Sequence, residues 1–153
     1  MWELVVVTVG KLADQGFRHG AERYAAMMCG EWRVRLETVP AGRNRVTAAR
    51  VKEEGEALLR KVPKGSMAIA LDPSGEAFDS QGFGQLLARL KDSGQKPVFL
   101  LGGAHGLDGS VLETAGKRVS LSRLTFPHEL AAVVLLEQIY RASALYAGKA
   151  YAK

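Results

Sequence analysis

The chain has 153 residues, 47% of them apolar and 24% charged, enough for one globular domain with its own core and no stapling by disulfide or metal. Cys29 stands alone, which excludes an internal disulfide and favours a reducing compartment. Residues 1–4 carry no basic leader, and the longest unbroken apolar run, residues 130–136, falls far short of a membrane span, so a cytoplasmic protein is expected.

The net charge of +5 is modest, but its distribution is uneven. Residues 40–64 carry seven Lys/Arg against three Glu, and residues 114–153 carry six against two. Basic charge gathered in loops and at a terminus favours a polyanionic partner through counterion release, although a solvated face reads the same way.

In chain order, residues 2–9 predict a buried strand, with Val5, Val6 and Val7 β-branched and Gly10 ending it. Residues 14–28 predict a helix presenting Phe17, Ala21, Tyr24, Ala25 and Met28 on one face. Trp32, Val34, Leu36 and Thr38 alternate with Arg33, Arg35 and Glu37, the period of a strand near a sheet edge. A loop follows over residues 40–45, and Thr47 is the expected N-cap of a charged helix reaching about Arg60.

Pro63 and Gly65 break that helix, and residues 67–71 form a short apolar strand ended by Asp72-Pro73-Ser74-Gly75. Residues 80–90 predict a helix with Phe83, Leu86, Leu87 and Leu90 inward, stopped around Gly94. Residues 97–101 are the next strand, followed by a glycine turn, a short helix over about residues 110–115 and a last strand at residues 118–121. A long helix should run from Pro127 to about Tyr146, with the proline near its first turn. Strands alternating with helices predict a single α/β domain, a mainly parallel sheet flanked by helices on both faces.

The last helix is apolar on every side through residues 131–136, with Ile139 and Tyr140 one turn on. A helix of that kind needs cover on more than one face, which favours a homodimer contact over a helix wrapped by its own chain.

Several chemistries find little support. Gly102-Gly103-Ala104-His105-Gly106 follows a strand but lacks the dinucleotide-binding spacing and the acidic residue about twenty positions on, and no P-loop is present. His19, His105 and His128 are scattered without ligand spacing, so no metal is expected. Cys29 has no histidine nearby in sequence, and no serine lies in a nucleophile elbow. What remains is three loops that each follow a strand: around Leu71-Asp72, at Gly102-Gly103, and over residues 121–126. Ligands of open parallel sheets sit at the carboxyl ends of strands, and three such loops converging would make a site held mainly by main chain. Any one of them alone reads as a tight turn.

These blocks, taken with Pro40-Ala41-Gly42-Arg43, Ala70-Leu71-Asp72-x-x-Gly75, Ser120-Leu121-Ser122-x-Leu124-Thr125-Phe126-Pro127-His128 and Glu137-x-x-Tyr140-Arg141-Ala142, resemble the ribosomal RNA large subunit methyltransferase H family of the SPOUT methyltransferases, in order and across essentially the whole chain. The resemblance implies an α/β fold with a C-terminal trefoil knot, a homodimer, and S-adenosylmethionine as cofactor. It also implies methyl transfer to N3 of a pseudouridine in the helix 69 stem-loop of large-subunit ribosomal RNA, on the assembled ribosome. By the same resemblance Leu71, Gly102, Gly103 and Leu121, Ser122, Arg123, Leu124, Thr125 and Phe126 should hold the cofactor. Leu71, Leu121 and Leu124 suit the planar, apolar adenine.

For the chemistry, Arg141 is the candidate to stabilise the anionic base or its phosphate, its local alternative being an i, i+4 pair with Glu137. His105 and His128 are candidate proton acceptors or relays, or purely structural. Tyr151 and Lys153 match a substrate-handling tail in which the family usually carries a histidine where this chain has Ala152. That departure keeps open an RNA-binding module without turnover, and loop chemistry alone leaves open a SPOUT enzyme acting on tRNA.

Overall fold

The computed structural model describes residues 1–151. Five strands, β1 (Trp2–Val9), β2 (Trp32–Val39), β3 (Met67–Ala77), β4 (Pro97–Leu101) and β5 (Lys117–Ser120), form one sheet in the order β2-β1-β4-β3-β5, every pairing parallel. Five helices alternate with them: α1 (Gln15–Ala26), α2 (Thr47–Arg60), α3 (Ser80–Asp92), α4 (Gly109–Thr114) and α5 (His128–Tyr146).

Strand alternation divides the core in two. Leu4, Val6, Ile69, Phe99, Leu101 and Val119 point to the face covered by α1, α3 and α5. Val5, Val7, Val9, Ala68, Ala70, Val98 and Leu100 point to the face covered by α2 and α4. Side chains one residue apart on a strand leave opposite faces of the sheet, so the continuous apolar runs of β1, β3 and β4 feed both layers. Trp2 and Trp32 meet edge to face at 4.7 Å, and the Trp2 indole donates to the Gln95 carbonyl at 2.7 Å.

The differences from the sequence expectations are local and have physical causes. β2 is an edge strand as its alternation implied, but only Trp32 and Val34 of its apolar set are buried. Leu36 and Thr38 instead line a cavity of about 190 Å³ between β2, α1 and α5, walled also by Val6, Leu12, Arg18, Glu22, Ala132 and Leu136. Thr47 is the first helical residue of α2, not its cap; Val46 is the N-cap and makes no side-chain bond. Pro127 caps α5 instead of lying inside it.

The largest difference is β3, which does not stop at Leu71. After pairing Leu71 with Val119 it bulges through residues 72–75 and pairs again, Glu76 with Val119 and Ala77 with Ser120. Asp72 makes this bend by accepting from the main-chain N–H and the hydroxyl of Ser74. A local Asx turn was legible as a strand end; the return to the same partner strand was not, because only tertiary pairing creates it.

Candidate functional site

Because all five strands are parallel, their carboxyl ends share one edge of the sheet. On that edge Leu71 of β3 is in register with Leu101 of β4 on one side and Val119 of β5 on the other. Leu71 is therefore about one strand spacing (~5 Å) from the ends of β4 and β5 on either side, and Gly102 and the segment after Ser120 are about two spacings (~10 Å) apart across it. The three loops singled out from sequence meet at one place.

Each loop is shaped by bonds local to it. After β4 the glycine turn closes on itself: the Gly106 N–H donates to the Gly103 carbonyl at 3.1 Å, and Gly106 adopts φ +80°. A Cβ on Gly102 would lie 2.5 Å from the Gly106 carbonyl carbon, so the absent side chain makes room for the turn's own main chain. Gly103 faces Val9 and the carboxylate of Glu54. His105 stands exposed at the turn's tip.

After β5 the Ser120 hydroxyl donates to the Ser122 carbonyl at 3.1 Å, and the Ser122 hydroxyl accepts from the Leu124 N–H at 2.9 Å. Among the described residues the N–H groups of Ser122, Arg123, Thr125 and Phe126 have no acceptor. This segment therefore presents several unspent main-chain donors. Beside them Leu71 and Leu121 are half-buried against the core, and Leu124 is 72% exposed, an unusual position for a leucine without a partner. Apolar side chains next to free donors are what a planar nitrogen heterocycle requires. Arg123 and Thr125 are exposed, Phe126 is half-buried, and His128 begins α5 at the same edge.

Arg141 and Tyr151 lie elsewhere. Arg141 is thirteen residues after His128 on a continuous helix, which puts it roughly 20 Å along α5 from the strand-end loops. The direction of α5 is set at both ends: Glu129 accepts from the Ala13 N–H near the carboxyl edge, and the Ser143 hydroxyl accepts from the Cys29 N–H near the start of β2. Arg141 donates through Nη2 to Glu137 at 2.7 Å, so the local i, i+4 pair is formed. Its guanidinium lies over the Tyr151 ring at 4.4 Å, and the Tyr151 hydroxyl donates to Glu137 at 3.1 Å. Burial, then the Glu137 hydrogen bond, raise the Tyr151 phenol above its ordinary value. The buried Nε of Arg141 has no acceptor among the described residues. Lys153 and Ala152 lie outside the described residues.

One residue of this edge had no sequence signal. Glu54 looks like another charge on a charged helix, yet it is buried, accepts from the Gly42 N–H at 2.9 Å and has its other oxygen 3.5 Å from where a Cβ on Gly103 would lie. It joins the loop after β2 to the turn after β4. The nearby Asp108 caps α4, and its bonds from Ser110 hold its carboxyl below the ordinary value. Among the described residues no group of three or more His, Cys, Asp or Glu could hold a metal ion, and no helix is long and apolar enough to cross a membrane.

Comparison with known proteins agrees with this geometry. Residues 2–152 match the family model described as "Predicted SPOUT methyltransferase". A Gluconacetobacter diazotrophicus protein named ribosomal RNA large subunit methyltransferase H is 39% identical over 147 residues, covering 95% of this chain and 94% of its own. A protein of the same name from Pelotomaculum thermopropionicum is 37% identical over 158 residues, covering 99% of each. With its parallel sheet, its three adjoining strand-end loops and these full-length relatives, the chain belongs to the SPOUT methyltransferase family.

Proposed function

We propose that this protein is a single-domain, S-adenosylmethionine-dependent methyltransferase that modifies N3 of a pseudouridine in the helix 69 stem-loop of large-subunit ribosomal RNA, on the assembled ribosome in the cytoplasm. The name shared by its relatives supports the RNA class. The observation that carries the reading is the adjacency of Leu71, Gly102 and residues 121–126 at one sheet edge, with unspent N–H donors beside apolar side chains.

The residues fit the cofactor. Leu71, Leu121 and Leu124 would flank the adenine, and the N–H groups of Ser122, Arg123, Thr125 and Phe126 would meet its ring nitrogens and ribose. Gly102 and Gly103 keep the turn low beside them. When bound, S-adenosylmethionine supplies an electrophilic methyl group on its sulfonium. The protein's share of the chemistry is to position the base and favour its deprotonated form. Arg141, held by Glu137 and Tyr151 and with a buried Nε that has no acceptor among the described residues, is the group proposed to face the anionic base or its phosphate. His105 and His128, both at the cofactor edge, are the proposed proton acceptors, and Tyr151 and Lys153 are proposed, from the family resemblance, to bind substrate.

At roughly 20 Å along α5, the Arg141 of one chain stands apart from the same chain's loops. The reading therefore includes a homodimer that pairs α5 with its copy. Ala131, Val133, Val134 and Tyr140 on α5, Tyr24 and Ala25 on α1, and Met28 just after α1 are only half-buried, which supports further cover on that layer. The reading also includes a trefoil knot in the C-terminal part, which rests on the resemblance to the family.

Transfer of labelled methyl from S-adenosylmethionine to intact ribosomes, free subunits and tRNA in parallel tests the reading. We expect label in the large-subunit RNA of intact ribosomes. Label confined to tRNA, or cofactor binding with no transfer to any of the three, would overturn it.

A further inference from the structure

The loop after β2 is built to hold arginines in a fixed place. Its main chain is spent on α2: the Gly42 N–H donates to Glu54 at 2.9 Å and the Arg43 N–H to Glu53 at 3.3 Å. Asn44 accepts from the Val46 N–H at 2.9 Å through its side chain, and its carbonyl accepts from Arg50 Nη1 at 3.3 Å. A Cβ on Gly42 would lie 2.8 Å from the Arg50 carbonyl oxygen, so only glycine lets the loop sit this close to the helix. The side chains of Arg43 and Arg45 are left exposed, with no ion pair among the described residues.

This loop lies on the same sheet edge as the proposed cofactor site. Val39 is level with Val9, whose successor Gly10 donates to the Val39 carbonyl at 2.7 Å, and Thr8 is level with Leu101. From β2 to β4 is two strand spacings, about 10 Å. Glu54 lies in that gap, holding Gly42 with one oxygen while the other sits 3.5 Å from where a Cβ on Gly103 would be. Lys11, exposed after β1, and Arg123, exposed after β5, extend the row, again without ion pairs among the described residues. The acids of this edge are occupied locally: Asp72 by Ser74, Asp108 by Ser110 and Glu129 by Ala13. These hydrogen bonds come from neutral donors and leave the carboxylates charged, so the edge carries a row of exposed basic side chains, free of direct ion pairs among the described residues, that ends at the proposed methyl-transfer site.

We propose that residues 40–50 form an RNA-docking arm, in which Arg43 and Arg45 bind backbone phosphates and Glu54 fixes the arm's position relative to the glycine turn. The inference rests on the proposed function for the identity of the RNA. Guanidinium groups bind phosphate oxygens bidentately, and a rigid mount reduces the ordering cost of that contact. An offset of about 10 Å is roughly two or three phosphates along one strand, so a single stem-loop can engage the arm while a base reaches the cofactor edge.

The test is the double variant Arg43→Ala/Arg45→Ala beside Arg43→Lys/Arg45→Lys. Methyl transfer to ribosomes is measured as KM and kcat, and binding of a large-subunit RNA fragment without cofactor is measured against salt. We expect the alanine pair to raise KM roughly tenfold or more and to flatten the log-affinity against log-salt slope by about 1.4 to 1.8. We expect kcat, cofactor affinity and melting temperature to stay unchanged, and the lysine pair to recover the slope. An unchanged KM and slope, or an equal loss of cofactor affinity, would overturn the arm. So would poly-glutamate binding as tightly as RNA with the same arginine dependence. Arginine-dependent RNA binding by a protein that transfers no methyl would uphold the arm and remove the enzyme reading, so the two failures are distinguishable.

Discussion

Gly102 has no space for a side chain, since the atoms a Cβ would meet at 2.5 Å belong to the main chain of Gly106 and cannot rotate away. Gly75 is in the same position against Arg118 and Val119, at 2.6 Å. Gly109, in the first turn of α4, has nothing within 4 Å and an ordinary φ. We therefore expect Gly102→Ala to cost about 1–3 kcal/mol of stability, as forced overpacking does. It should also weaken S-adenosylmethionine binding at least tenfold, because the displaced turn adjoins Leu71, while Gly109→Ala should be neutral or stabilise by about 0.4–1 kcal/mol. Thermal melts and calorimetric titration of the two variants check this; equal behaviour would remove the special role of Gly102. The glycine pair was legible in sequence as a site where backbone comes close. That its nearest neighbour is its own turn was not, because residues four apart in a loop reveal their contact only once the loop is folded.

Among the elements, α5 does the most work. Ala132, Leu135, Leu136 and Ile139 are buried against α1, α3 and the sheet, and near the helix's far end Ser143 and Tyr146 both bond to other elements. Ser143 is fully buried; it accepts from the Cys29 N–H at 3.1 Å and donates to the Tyr140 carbonyl at 2.7 Å. Ser143→Ala removes the acceptor of a buried donor and should destabilise by about 1–3 kcal/mol, measured by chemical denaturation. Ser143→Gly, which also removes the acceptor but adds a helix penalty of about 1 kcal/mol, should lose more. A neutral Ser143→Ala would show that the hydroxyl does not hold α5 to the start of β2. Some element boundaries followed from a local sequence signal, as with α3, read as stopping around Gly94 and ending at Asp92 with Gly94 at φ +71° just beyond. Others failed where partners decided: β3 continues to Ala77 because β5 lies there to pair with it.

For the whole molecule, the sheet places the proposed cofactor residues on one edge and α5 carries Arg141 about 20 Å away from them. The proposed homodimer is the arrangement that would bring Arg141 of one chain to the cofactor loops of the other. An Arg141→Ala chain and a chain disabled at the cofactor loops should both be inactive in methyl transfer. Mixed under exchanging conditions, half the dimers become heterodimers with one intact composite site, so about a quarter of wild-type activity should return. No recovery on mixing, in a sample that sizing and labelling show to contain heterodimers, would refute a site shared between chains.

Local information accounts for much of this protein. The β-branched run of residues 5–7, the alternation of residues 32–35 and the punctuation at Gly10, Gly65 and Gly94 were enough for a parallel α/β sheet, because periodicity and turn chemistry act over a few residues. The blocks at Leu71, Gly102 and residues 121–126 were legible as three strand ends for the same reason. Tertiary structure alone decided that these three are adjacent, that β3 returns over β5, that Glu54 is buried between two loops, and that Arg141 stands apart from the edge it was expected to serve. Those facts are distances between residues far apart in the chain, and such distances exist only after strand order and helix direction have been chosen by packing.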